Sequence, residues 1–294
     1  MNLALTLVAS PPAHPVVAAI AADVAAALRT RAGPRWLAVD EACELTFDGA
    51  DAAAVEQTAR QIVGAARVDV IVQPAAGRRK RLLVADMEAT IIENEMLDEL
   101  ADFLGLRPRV SEITRRAMNG EIDFVAALEE RVALLAGIRA GVLDEAAARI
   151  RPMPGAAALV ATMRQNGAKT ALVSGGFDIF AERIAAALGF DHVVANHLEI
   201  ADGRIAGTVR RPIVTREAKR ETLVSLAARY GLSLADTIAA GDGANDLPLL
   251  ETAGLGVAYH AKPAVAAAAR WRVDHADLTA LLYAQGYRRE EIVG

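Results

Sequence analysis

Apolar and polar positions alternate with two different periods along the first 75 residues. LALTLVA (3–9) reads as a strand, and PVVAAIAADVAAAL (15–28) repeats its apolar positions at helical spacing. WLAVDEACELTF (36–47) predicts one or two strands, AAAVEQTARQIVGA (52–65) a helix, and VDVIVQ (68–73) another strand. The order strand–helix–strand–strand–helix–strand is that of a ferredoxin-like unit. Proline, glycine and a charge run then gather in PAAGRRKR (74–81), the composition of a loop. These signals predict a small N-terminal domain over 1–75, a solvated linker over 76–81 and a larger core over 82–294.

From residue 82 the pattern changes to short apolar runs separated by helical stretches. LLVAD (82–86), AKTALVS (168–174) and LADTIAAGD (234–242) predict strands, each followed by a helix. Strands that are apolar throughout and alternate with helices build a parallel sheet covered on both faces. The predicted class is therefore α/β, with a doubly wound parallel sheet. Helical segments without intervening strands occupy about 95–150, which predicts a helical cap inserted after the first core strand. HLEIADGRIAGTV (197–209) predicts a β-hairpin around its ADGR turn.

Composition narrows the function classes. The chain has 294 residues, a formal charge of −5 and 4% aromatic residues, so base-stacking surfaces are scarce. Its one basic cluster, RRKR (78–81), falls in the predicted linker, and no nucleic-acid partner is expected. A single cysteine, Cys43, excludes an internal disulfide framework and a multi-cysteine zinc site, which fits a reduced, cytoplasmic setting. No run approaches the roughly 18 apolar residues that span a bilayer. The N-terminal LALTLVAS lacks a basic leader and reads as a strand, not a signal peptide.

Chemistry concentrates at strand ends. Asp86, Ser174 and Asp242 each end a different predicted strand, and open α/β sheets bind ligands beyond those carboxyl ends. Asp86 opens DMEAT (86–90), Ser174 opens SGG (174–176), Asp242 lies in GDGAND (241–246), and an isolated Lys219 follows a helix start at Thr215. Carboxylates gathered around a phosphate need a cation, and magnesium favours a few carboxylate oxygens with waters and substrate phosphate. Asp86 and Asp242 are the natural ligands, with Glu88 contributing through its backbone carbonyl.

These four motifs, in this order, resemble those of phosphoserine phosphatases of the haloacid-dehalogenase superfamily from about residue 81 to 270. The cap stretch EITRRAMNGEIDFVAALEERVALL (112–135) is similar to theirs as well. The resemblance implies that Asp86 is a nucleophile giving an aspartyl-phosphate, that Lys219 and Mg2+ offset phosphoryl charge, and that Ser174 and Gly175 hold phosphate oxygens. It further implies Asp242 as a metal ligand, with Asn245 and Asp246 orienting metal waters or holding Lys219. Glu95 would meet the substrate amine and Arg131 its carboxylate, with Met118 and Phe124 closing the apolar lid. The implied activity is Mg2+-dependent hydrolysis of O-phosphoserine, the last step of serine synthesis.

The chain departs from the family pattern at two positions. Glu88 stands where the family has an aspartate acid/base, and Ala89 replaces a serine. Glutamate can perform the same proton transfers when its pKa is tuned. The departure keeps two alternatives open: phosphoryl transfer from phosphoserine to homoserine, or a catalytically weak amino-acid sensor. The N-terminal order resembles the ACT-like regulatory domains of this family, but its first loop is SPPAHP and lacks their usual glycine. Homodimerisation or a purely structural role is expected of that domain ahead of serine binding.

Overall fold

A computed structural model describes residues 2–10, 14–30, 32–49, 51–118 and 121–294. Its N-terminal elements are β1 (Asn2–Ala9), α1 (His14–Ala27), β2 (Arg35–Ala38), β3 (Ala42–Asp48), α2 (Ala52–Val63) and β4 (Val68–Pro74), in the expected order. The four strands form an antiparallel sheet ordered β2-β3-β1-β4. Alternation along each strand sends Leu3, Leu5, Leu7, Val68, Val70 and Val72 under the two helices.

The opposite face carries Thr6, Val8, Asp69, Ile71 and Gln73, all buried. It is covered by the end of the chain. Trp271 Nε1 donates to the Val72 carbonyl at 2.7 Å, and Gln73 Nε2 to the Ala284 carbonyl at 2.7 Å. Asp69 accepts the N–H groups of Asp274, His275 and Ala276 at 2.7, 3.2 and 2.8 Å.

The predicted solvated linker is instead pinned on both sides. Arg78 pairs with buried Glu44 at 2.6 Å, and Arg79 with Glu291 at 2.6 Å. Lys80 is buried, its Nζ donating to the carbonyls of Gly77 and Ala235 and its N–H to Gln285. A charge run reads as solvated when its partners lie elsewhere in the chain, and here they come from β3, the residues before β10 and the C-terminus.

The core continues through β5 (Leu82–Ala85) into a cap of α3 (Met96–Phe103), α4 (Arg107–Met118), α5 (Phe124–Ala133) and α6 (Gly141–Ala147). After it come α7 (Ala156–Gln165), β6 (Lys169–Phe177), α8 (Asp178–Leu188), β7 (His192–Asn196) and the hairpin β8 (Leu198–Ala201) and β9 (Arg204–Val209). The chain ends with α9 (Arg216–Arg229), β10 (Thr237–Gly241), α10 (Leu247–Thr252), β11 (Leu255–Tyr259), α11 (Pro263–Ala268), β12 (Trp271–Val273) and α12 (Ala280–Ala284).

The second sheet is parallel and ordered β12-β11-β10-β5-β6-β7. Leu83 and Ala85 pack on one face, Leu82 and Val84 on the other. Burial on both sides is why these strands read as unbroken apolar runs. From β5 the chain builds first to one side, through β6 and β7, and later to the other, through β10 to β12. The crevice beyond β5 is thus the topological switch point where such sheets bind ligands. The cap sits over it, braced by the hairpin: Gly137 N–H donates to the Ile205 carbonyl at 2.8 Å, and Ile205 N–H to the Ile138 carbonyl at 2.8 Å.

Candidate active site

Asp86 follows β5 directly and is buried. Its Oδ1 accepts the Met87 N–H at 2.8 Å and meets Lys219 Nζ at 2.7 Å. Lys219 lies one turn into α9, whose N-terminus is capped by Thr215 Oγ1. At 1% exposure its ammonium is cut off from bulk solvent, and a buried cation needs close anionic partners. Asp246 Oδ1 provides the second, also at 2.7 Å, while its Oδ2 accepts the Gly243 N–H at 3.0 Å. Burial alone would lower the Lys219 pKa, but Asp86 and Asp246 outweigh it and hold the ammonium above its ordinary value. Asp246 thus meets Lys219 with one oxygen and the Gly243 amide with the other.

Carboxylates are in excess around this one buried ammonium. Burial, followed by Asp246 and Glu88, pushes Asp86 well above its ordinary value against the pull of Lys219. Burial also raises Asp242, which Lys262 at 3.5 Å only partly offsets. Asp86, Asp242 and Asp246 each place an oxygen within 4.8 Å of the others'. Three buried hard-oxygen donors with unbalanced charge are a donor set that fits a small divalent cation.

The side chain of Glu88 stands apart from this cluster, whereas the metal contribution expected of Glu88 was through its backbone carbonyl. Its Oε1 instead accepts the Met96 N–H at 2.8 Å and so caps α3, a duty the N-cap residue Glu95 leaves undone. The carboxylate also lies over the SGG loop. A Cβ on Gly176 would sit 3.0 and 3.1 Å from the two Glu88 oxygens. Burial first, then Glu95, pushes the Glu88 carboxyl up to about 7. Ser174 is fully buried, and its Oγ accepts the Gly176 N–H at 2.9 Å, which folds the loop tightly.

Beyond the loop lies a cavity of about 510 Å³ bounded by the core and the cap. Glu95, Phe124, Arg131, Gly175 and Asn245 line it. The Phe124 ring tip lies 3.4 Å from where a Gly175 Cβ would be. Arg131 spends its Nε on the Ala127 carbonyl at 3.1 Å, leaving the fork of the guanidinium for the cavity. No ion pair joins Arg131 to Glu95 among the described residues. Met118 ends α4, but its side chain lies outside the described residues. Two further charged groups line the cavity, Asp98 on α3 and Lys262 after β11. Position could have found Lys262, since it follows the carboxyl end of a parallel strand.

The profile of the haloacid dehalogenase-like hydrolases matches residues 83–251. A solved structure of a HAD family hydrolase from Salmonella enterica superposes with a TM-score of 0.86 at 29% identity, covering 96% of this chain and 97% of that one. The chain belongs to the haloacid dehalogenase-like hydrolase family. Phosphoserine phosphatases are among its curated relatives. The Streptomyces coelicolor phosphoserine phosphatase is 41% identical over 85% of this chain and 62% of its own length. That of Streptococcus thermophilus is 46% identical over 68% of this chain and 93% of its own. The chain thus spans less than two thirds of the Streptomyces protein and nearly all of the Streptococcus one. No helix among the described residues is long and apolar enough to cross a membrane.

Proposed function

We propose that this protein is a magnesium-dependent phosphatase that releases serine from O-phosphoserine through an aspartyl-phosphate on Asp86. The observation that carries the reading is Lys219, buried between Asp86 and Asp246 at 2.7 Å from each, with Asp86 lining a cavity whose wall offers Glu95 and Arg131. An ammonium, a carboxylate nucleophile and a glycine loop suit a phosphoryl group. A carboxylate and a guanidinium above them suit an amino acid's amine and carboxylate.

Asp86 Oδ1 is committed to Met87 and Lys219, so Oδ2 is the oxygen that attacks phosphorus. The bond from phosphorus to the serine oxygen breaks as Glu88, protonated, gives its proton to that oxygen. Glu88 then takes a proton from water, whose oxygen displaces Asp86 from phosphorus and frees phosphate. A carboxyl held near 7 can serve both directions at neutral pH. Asp86, Asp242 and Asp246 would hold Mg2+, which when bound offsets the charge on the phosphoryl oxygens.

Phosphate release from O-phospho-L-serine, with and without magnesium, tests the reading. The native chain should release phosphate only with the ion, and Glu88→Gln should lose at least about a hundredfold in kcat, the lower range of a general acid–base contribution. Magnesium-independent release, or a Glu88→Gln variant as fast as the native chain, would overturn it.

A further inference from the structure

The loop that holds phosphate in this reading is formed by a slip between two strands. β6 and β7 pair in register up to Val173↔Val194, and their next partners are Phe177↔Asn196. Ser174, Gly175 and Gly176 therefore bulge opposite the single residue Ala195, and a bulge leaves main-chain groups without a strand partner. Asn196 supplies the missing partner from its side chain. Its Nδ2 donates to the Gly175 carbonyl at 2.8 Å, and its Oδ1 accepts the Val214 N–H at 2.8 Å.

The second bond reaches the other half of the site. Val214 immediately precedes Thr215, the N-cap of the helix that carries Lys219. The Val214 carbonyl also lies 4.0 Å from where a Gly175 Cβ would be, so the two segments touch. Asn196 is 1% exposed, and its amide makes one hydrogen bond to each side of this seam. A buried amide that is satisfied at both ends and nowhere else fixes the spacing of the two segments it joins.

We propose that Asn196 is a positioning residue that sets the distance between the SGG loop and Lys219. It touches no reacting atom in this assignment, and acts by holding Gly175 and the start of α9 at one separation. The inference rests on the reading of Ser174–Gly176 and Lys219 as the phosphate site. Serine at position 196 is too short to span both partners, whereas aspartate keeps the acceptor for Val214 and loses the donor to Gly175.

The test uses the full chain with magnesium and compares native, Asn196→Ser and Asn196→Asp. The readouts are kcat and KM on O-phosphoserine and p-nitrophenyl phosphate, and inhibition by orthovanadate, which carries the geometry of the transferring group. Both substrates present the same phosphoryl group, so kcat should fall by a similar factor on each, on the order of a hundredfold for a displacement near 1 Å. KM for O-phosphoserine should change little, and orthovanadate should inhibit less. A folded variant with native kcat and native orthovanadate inhibition would overturn the inference, whatever its melting temperature. If neither variant folds, hydrogen exchange on the native chain decides: orthovanadate should protect 213–219 together with 174–177, and protection of 174–177 alone would overturn the coupling. A native chain that releases no phosphate from either substrate would remove the parent reading first, which separates the two failures.

Discussion

Glu88 occupies its position at the expense of any side chain on Gly176. The longer side chain of glutamate carries the carboxylate across to the SGG loop, and the 3.0 Å approach leaves room only for hydrogen. Gly176→Ala should therefore lower kcat/KM by roughly tenfold, since the carboxylate must give by a few tenths of an ångström where a full 1 Å costs about a hundredfold. Glu88→Asp withdraws the carboxylate, so the Gly176→Ala penalty should shrink in that background. Steady-state rates for the four chains of this cycle measure the coupling, and strict additivity would refute the steric account. Asp86, Asp242 and Asp246 were readable from the sequence because their chemistry is packed into short motifs, and isolated Lys219 through its place in the order of those motifs. Lys262 had only its place after a strand end to mark it, and Asn196 had no local mark, for its meaning comes from Val214, 18 residues away. That the Glu88 side chain caps α3 was not legible either, since its partner, the Met96 N–H, lies eight residues on.

The strands and helices themselves were largely visible, since each is a local period. The hairpin β8–β9 was predicted where it occurs, but not that it would brace the cap. Gly207 is the contact that makes this brace close. Its φ is +83°, and a Cβ there would lie 2.7 Å from the Ala136 Cβ, just beyond α5. Gly207→Ala combines left-handed strain with overpacking, and should destabilise the protein by about 2 kcal/mol. Urea unfolding checks the value, and an unchanged midpoint would mean that cap and hairpin are not packed as described. β6 likewise runs past its predicted end at residue 174 to Phe177. Two glycines in succession read as a break, whereas in the fold they sit in a bulge that keeps the strand going.

The division into an N-terminal unit and a core was legible, but the tightness of their union was not. Asp69 is the chief latch, accepting three N–H groups from 274–276. Burial raises its carboxyl above the ordinary 3.8, against the lowering effect of those donors. The folded chain thus binds this proton more tightly than the unfolded chain does. Stability from this group accordingly falls as pH rises from 3.8 through the raised value. Asn at this position cannot ionise, so Asp69→Asn should flatten that part of the slope, besides costing about 1–3 kcal/mol for a donor left facing an NH2. Urea midpoints of both chains across the acid range test this, and parallel slopes would sink it. The pinned stretch 78–81 has a further consequence, for proteolysis. Arg78, Arg79, Lys80 and Arg81 form the densest run of trypsin sites in the chain. Cleavage requires several residues to detach and straighten in the enzyme's cleft, yet here the side chains of Arg78, Arg79 and Lys80 are all engaged and the Arg81 N–H is bonded to Asp236. Brief native digestion should therefore cut elsewhere first, and an early pair of fragments of about 80 and 214 residues would show that the two parts come apart more readily than their contacts imply.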